Sequence, residues 1–319
     1  MNTRLTRTSL AAVAGLVALA GAAPALAQFP EKPIEFVTPY PPGGSHSLHA
    51  GIITTVAEPY FGEPMISVIR SGGGGVVGAT EVLQSAPDGY TLLFGDPTIN
   101  SLRPQVEDLP YTTEDFVPVA RINYSPAVFV ARADAPFDDL ESMIAYAQDN
   151  PGDLVYSSDN VNGFTYTVFE LLKYQTDSEM KGIVYGGGGP AMQQLLGGET
   201  MAYAGAPSVV GEHIEAGTVT GICTTDFERW DSLPDVPTCG ELGEEIIFHF
   251  WRGVLAPAGT PEDVVATLSD GFAELVQDEG FLRLIGRINS RVDFLGHEEF
   301  GELMAREQAD LKEVYDNLN

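Results

Sequence analysis

Ile34-Glu35-Phe36-Val37-Thr38-Pro39-Tyr40-Pro41-Pro42-Gly43-Gly44-Ser45 is a β-rich run that breaks into prolines and glycines just before a stretch suited to a helix, near Ser47–Tyr60. The prolines stiffen the turn and the glycines bare the backbone. Ser45, His46 or Ser47 can cap the helix while offering a hydroxyl or an imidazole to a ligand. A loop of this kind places ligands at the carboxyl ends of parallel strands. The stretch therefore predicts an α/β sheet with a binding loop at its edge.

The pattern repeats outward from that loop. Met65–Arg70 and Tyr90–Gly95 read as further strands, with a helix near Val76–Ser85 between them. A second layer follows, with strands at Ala127–Ala131, Leu154–Ser157, Gly182–Tyr185, Met201–Ala204 and Val219–Cys223 and helices between. The chain closes with helical spacing over Pro261–Gln277 and His297–Leu318. Alternating strands and helices in two blocks predict two domains, each a mostly parallel sheet flanked by helices. At 319 residues the chain is long enough for both.

Two runs of four glycines, Gly72–Gly75 and Gly186–Gly189, each stand between a strand and a helix. Helix starts of this kind carry unpaired N–H groups and the positive end of the helix dipole. A carboxylate clamped between them would need no lysine or arginine. Ser157, Ser158, Asn162, Gly163, Phe164 and Thr165 make an equivalent polar loop in the second layer.

Charge excludes other classes of partner. Sixteen basic against 45 acidic residues give −29, a surface that repels nucleic acid and anionic lipid. Residues 1–27 have the form of a signal peptide: Arg4 and Arg7, an apolar run from Leu10 to Ala23, and Ala25-Leu26-Ala27 before Gln28. Cleavage after Ala27 would move the charge to −31 and leave an exported protein with no inserted segment. Cys223 and Cys239 can pair in an oxidising compartment or remain buried thiols.

Chemistry is poorly represented. Gly73, Gly75 and Gly78 fit G-x-G-x-x-G with Asp96 18 residues beyond, yet an exported chain is not expected to meet a nicotinamide cofactor. His46 and His49 lack the companions of a zinc site, and no G-x-S-x-G elbow occurs. No cofactor or metal is expected.

The ordered motifs Pro39–Gly44, Ala86-Pro87-Asp88-Gly89-Tyr90, Leu109-Pro110-Tyr111, Tyr185 with Gly187-Gly188, Leu233–Thr238 and Leu255–Pro261 resemble those of the Bug or TctC family, the extracytoplasmic solute receptors of tripartite tricarboxylate transporters. The resemblance implies a two-domain periplasmic-binding-protein clamp, with residues 28–125 plus 250–319 in one domain and 126–249 in the other. Its hinge would run through Ala127–Ala131 and Trp251–Ala256. It further implies a monomer in the periplasm that holds a small organic acid through main-chain amides and hydroxyls and delivers it to membrane permease subunits, without catalysis. The ligand-binding residues it points to are Tyr40, Pro42, Gly43, Gly44, Ser45, His46, Ser47, Pro97 and Thr98 in the first domain. In the second they are Ser157, Ser158, Asn162, Gly163, Phe164, Thr165, Gly187, Gly188 and Ala204. Where relatives often carry charged side chains, this chain has Ser47, Gly51, Gly186 and Ala204. An exported enzyme using the same cleft, or a receptor for a membrane sensor, are the alternative readings.

Overall fold

The computed structural model describes residues 29–318, so the signal-peptide reading of residues 1–27 lies outside the described residues. The chain begins with β1 (Ile34–Thr38), α1 (Ser45–Val56), α2 (Glu58–Phe61), β2 (Met65–Ile69), α3 (Val76–Leu83) and β3 (Thr91–Gly95). A wide helical turn at Thr98–Leu102 leads into α4 (Arg103–Val106) and the long strand β4 (Phe116–Pro126). A second unit follows: β5 (Val128–Arg132), α5 (Leu140–Asp149), β6 (Leu154–Ser158), α6 (Phe164–Thr176), β7 (Met180–Val184), α7 (Gly188–Leu196), β8 (Ala202–Gly205), α8 (Pro207–Glu215) and β9 (Val219–Thr224). The chain then returns through β10 (His249–Pro257) to α9 (Glu262–Leu275), α10 (Glu279–Arg287) and α11 (His297–Leu318).

These elements form two five-stranded sheets, ordered β2-β1-β3-β10-β4 and β7-β6-β8-β5-β9. In each, the first three strands are parallel and the fourth runs antiparallel to both its neighbours. Four strands of each sheet thus share one direction, which is the mostly parallel α/β clamp expected, with one reversed strand near the middle. The reversed strand is supplied crosswise. β5 enters the second sheet directly after β4, separated only by Ala127, and β10 fills the matching slot of the first sheet after the second is complete.

Those two strands are the stretches read as hinge segments, and the structure places both within sheets. The chain changes sheet just before each, at Ala127 and between Thr224 and His249. β4, β10 and α10 are additions to the sequence reading. α10 starts where the Asp278 carboxylate accepts from the Phe281 N–H at 2.7 Å, and it buries Phe281 and Ile285, four residues apart on one face.

Each sheet has its own core. Phe36, Leu92, Phe94 and Val254 bury one face of the first against Ile53 of α1 and Leu268 and Phe272 of α9. Phe129, Leu154 and Tyr156 of the second pack on Phe169 and Leu172 of α6, with the Tyr156 and Phe169 rings stacked 3.8 Å apart. Burying one such side chain stabilises by ~1.5–3 kcal/mol, so two separate cores of this size define two domains. Cys223 and Cys239 are disulfide-bonded, with Cα atoms 5.0 Å apart, which settles the two readings left open by the sequence. The bridge ties the returning segment to the end of β9 beside the second core.

Candidate functional site

The carboxyl ends of the parallel strands of both sheets face one another across a cleft. A cavity there, of about 50 Å³, is lined by Tyr40, Gly44, Ser45 and His46 from the loop after β1 and the start of α1. From the other side come Asp159, Phe164 and Thr165 at the start of α6, Gly188 at the start of α7, and Tyr203, Ala206 and Val209 around the start of α8. β10 adds Phe250 and Arg252 from the crossing between the domains. Gly44 caps α1 without a side-chain hydrogen bond, and Gly187 and Ala206 do the same for α7 and α8. Several helix starts with uncapped N–H groups therefore meet at one cavity, an arrangement that favours an anion.

The first-domain wall is held by a buried hydrogen-bond knot. Tyr40 donates to Asp96 at 2.6 Å, and the other Asp96 oxygen accepts from the Thr98 hydroxyl at 2.5 Å, the Thr98 N–H at 2.8 Å and the Ile99 N–H at 3.2 Å. His46 Nε2 lies 3.4 Å from the same carboxylate, and its ring meets Tyr40, Phe94 and Phe250. Burial, reinforced by Arg252, holds His46 well below the ordinary imidazole range, so it is neutral near pH 7. Burial pushes the Tyr40 hydroxyl well above its usual value, and the neighbouring Asp96 charge pushes it further. Thr98 and Asp96 thus fix the Tyr40 and His46 rings.

On the second-domain wall Asp159 accepts from the Phe164 N–H at 2.9 Å and caps α6. Burial pushes its carboxyl up to about 6, against the backbone N–H groups that favour its charge. Thr165 donates to the Ala204 carbonyl at 2.7 Å, and the Tyr203 hydroxyl donates to the Gly188 carbonyl at 3.3 Å.

The two walls touch. A Cβ on Gly189 would lie 2.6 Å from the Pro42 carbonyl oxygen and 2.8 Å from the Gly44 nitrogen, so only glycine lets α7 seat its start on the first loop. The hydroxyls of Ser45 and Ser208 are 3.0 Å apart across the cleft, and Asn162 donates to Glu107 at 2.9 Å. Near the crossing, the Trp230 ring N–H donates to the Asn289 carbonyl at 2.9 Å. The structure is a closed clamp.

Of the residues predicted for the site, Tyr40, Gly44, Ser45, His46, Phe164, Thr165 and Gly188 line the cavity. Pro42 and Gly43 line a neighbouring groove with Gly189 and Ser208. Ser47 donates to the Gly44 carbonyl, Thr98 serves Asp96, Ser157 is buried in β6, and Ser158 faces Asp159 and the Asn160 carbonyl. Gly163, Gly187 and Ala204 are backbone neighbours of lining residues, Pro97 stands outside the lining between Asp96 and Thr98, and Asn162 bridges the domains at Glu107. The first glycine run is outside the cavity: the carbonyls of Gly73 and Gly74 accept from Arg103 at 3.1 and 2.8 Å. The expectation of a cleft without a basic side chain fails at Arg252. Asp159, Tyr203, Ala206, Val209, Phe250 and Arg252 were not foreseen. The first stands inside the polar loop that was singled out, whereas the last lies in a strand that the sequence presents as a connector.

Comparison with known proteins gives consistent relatives. A family model described as the tripartite tricarboxylate transporter family receptor matches residues 52–305. BugT of Bordetella pertussis is 33% identical over 282 residues, covering 85% of this chain and 86% of that protein. Among solved structures, a periplasmic transporter superposes with a TM-score of 0.87 at 28% identity, covering 91% of this chain and 98% of the other. MatC from Rhodopseudomonas palustris with bound malate superposes with a TM-score of 0.84 at 25% identity, covering 90% and 99%.

Proposed function

The chain belongs to the tripartite tricarboxylate transporter receptor family, and from that premise we propose that it is a periplasmic receptor which closes its two domains on a small organic carboxylate and delivers it to the permease of such a transporter. The moving bodies are residues 28–125 plus 250–319 and residues 126–249, and cleavage after Ala27 releases the mature form. The observation that carries the reading is the convergence of the uncapped starts of α1, α7 and α8 on one interdomain cavity. Three bundles of free N–H groups suit a carboxylate, and they come from both domains, so the ligand is held fully only when the clamp is shut. The malate in MatC supports the same ligand class here.

Binding requires no reaction. His46 is buried, neutral and turned to Asp96, and the imidazole nitrogen 3.4 Å from the Ser45 hydroxyl, His49 Nδ1, lies 2.7 Å from the Ser45 carbonyl, to which it donates, so it carries a proton and cannot take one from that hydroxyl. Calorimetry of the mature protein against mono- and dicarboxylates tests the proposal. A carboxylate should bind with micromolar or better affinity, and small-angle scattering should show compaction on its addition. Binding of neutral solutes alone would overturn the ligand class.

A further inference from the structure

Arg252 is wholly buried in β10 and lines the cavity between the two domains. Its Nη1 donates to Asn123 Oδ1 at 3.1 Å and its Nη2 to Ser125 Oγ at 3.1 Å, both from the adjacent β4. Nε has no partner. The Asn123 side chain is itself fixed: its amide donates to Ser290 Oγ at 2.8 Å, and His49 Nε2 lies 2.9 Å from that hydroxyl. The guanidinium is therefore oriented by a chain of side chains that ends in α1, the helix whose start forms the opposite edge of the cavity.

The Asp96 charge acts on it without forming an ion pair. Among the described residues Arg252 forms no ion pair, and the Asp96 oxygens are taken by Tyr40, Thr98 and Ile99. His46 and His49 are both held well below the ordinary imidazole range, by burial first and by Arg252 second, so neither supplies a competing cation. A desolvated guanidinium with an open donor and no paired anion is unfavourable until one reaches it. Low-dielectric surroundings, with the Phe250 ring 5.5 Å away, strengthen any charge interaction made there, although Asp159 lines the same cavity.

Resting on the reading of the cleft as a carboxylate site, we propose that Arg252 is its specificity-determining residue. One carboxylate of the solute occupies the helix starts, and Arg252 takes a second at the other end, so the clamp selects short dicarboxylates over monocarboxylates of equal length. The guanidinium fork matches a carboxylate in a way that an ammonium does not.

The test is calorimetry at pH 7.5 with matched pairs of three to six carbons, for example butyrate and succinate, with succinamate as the neutral-ended intermediate. Succinate should bind about 10- to 100-fold more tightly than butyrate, with succinamate between them. Arg252→Met should bring all three to one affinity. Arg252→Lys should keep part of the preference for the dianion but lose the gain of succinamate over butyrate. Circular dichroism and melting curves report whether each variant folds. Should Arg252→Met fail to fold, the three ligands on the unaltered protein and the lysine variant still decide. Equal affinity for both members of every pair, or an undiminished preference in Arg252→Met, would overturn the assignment to Arg252 while leaving the carboxylate reading standing. Absence of binding by every pair would remove both.

Discussion

Gly72–Gly75 and Gly186–Gly189 look alike in sequence, each joining an edge strand to a helix, and β2 and β7 occupy the same place in their sheets. Their surroundings make them different objects. All four glycines of the first run have φ between 57° and 145°, and the turn directs two carbonyls at Arg103, whose guanidinium also forms a fork with Glu107. The second run leaves the start of α7 bare and lies against the backbone of the Pro42–Gly44 loop. One run accepts hydrogen bonds from a cation and meets the other domain at the Asn160 side chain, and the other is seated on loop backbone across the domain seam with donors to spare. What faces a glycine run decides whether it behaves as an acceptor or as an anion site.

The sharpest way to break this contrast is a side chain in each. Gly189→Val sets a Cβ 2.6–2.8 Å from loop backbone that cannot step aside, so the domains no longer seat. Ligand affinity should fall roughly a hundredfold, the upper end of ~1–3 kcal/mol for overpacking, while the melting temperature of the ligand-free protein changes little. Gly74→Ala, at φ 64°, sets a Cβ 2.6 Å from Arg103 Nη1 and 3.0 Å from Asn160 Cγ of the other domain, so it should cost ~1–3 kcal/mol of stability, with a much smaller loss of affinity because that side chain can give way. Equal affinity losses in calorimetry would mean that the two runs share one role.

Arg103→Met sharpens the comparison from the partner's side. It strips the first run of its donor and Glu107 of its fork, and a loss of ~1–3 kcal/mol in urea denaturation is expected. Arg103→Lys should not restore it, because one ammonium cannot span both carbonyls and the carboxylate. A fully stable methionine variant would show that the first run needs no cation.

A smaller effect separates the charge of the second wall from its shape. The folded value of Asp159, about 6, lies above its unfolded one, so its ionised form costs stability. Unfolding free energy should therefore carry a falling contribution between about pH 4 and pH 6, and Asp159→Asn should remove it. For a carboxylate ligand the same proton helps: affinity should rise as pH drops from 7 to 6, by at most about tenfold, and stay flat in the variant. An identical pH profile in both proteins would exclude Asp159 from the ligand's field.

Salt should act least and on neither glycine run. The excess of acids, with only Lys32, Lys173, Lys181 and Lys312 as lysines, makes the surface self-repelling. As the Debye length falls from about 10 Å at 0.1 M to about 3 Å at 1 M salt, stability should rise by about 1 kcal/mol, some 2–4 °C. The slope should be the same in Gly189→Val. A flat melting series would leave solubility as the role of the acidic surface.

Much of this was legible because local signals and tertiary use agree. Ile34–Thr38 followed by Pro39–Ser45 can hardly be other than strand, ligand loop and helix, and the structure keeps β1 within those bounds. The Ser157–Thr165 loop declared its polarity, although Asp159 and Thr165 rather than Ser157 and Ser158 reach the cavity. β4 and β10 were hidden by their composition: Arg121, Asn123, Ser125 and Arg252 are poor strand signals, and they sit in strands because they bond to one another or to Asp293 and Ser290. Their pairing joins positions 123 or more residues apart, beyond any local pattern. Arg252 was illegible for the same reason, since no periodicity marks an arginine that is buried without an ion pair.

The crosswise supply of the reversed strands also fixes an order of assembly. The second sheet is drawn from one unbroken stretch, Val128–Thr224, and can finish as soon as that stretch has emerged. The first sheet cannot. Its β3 and β4 have no contact through the ladder until β10 arrives to stand between them, after everything in the second domain. The half of the protein that leaves the ribosome first is therefore the half completed last, with an open β3 edge waiting on residues 249–257. Throughout this delay β3 must stay unpaired on that side without joining another molecule's edge.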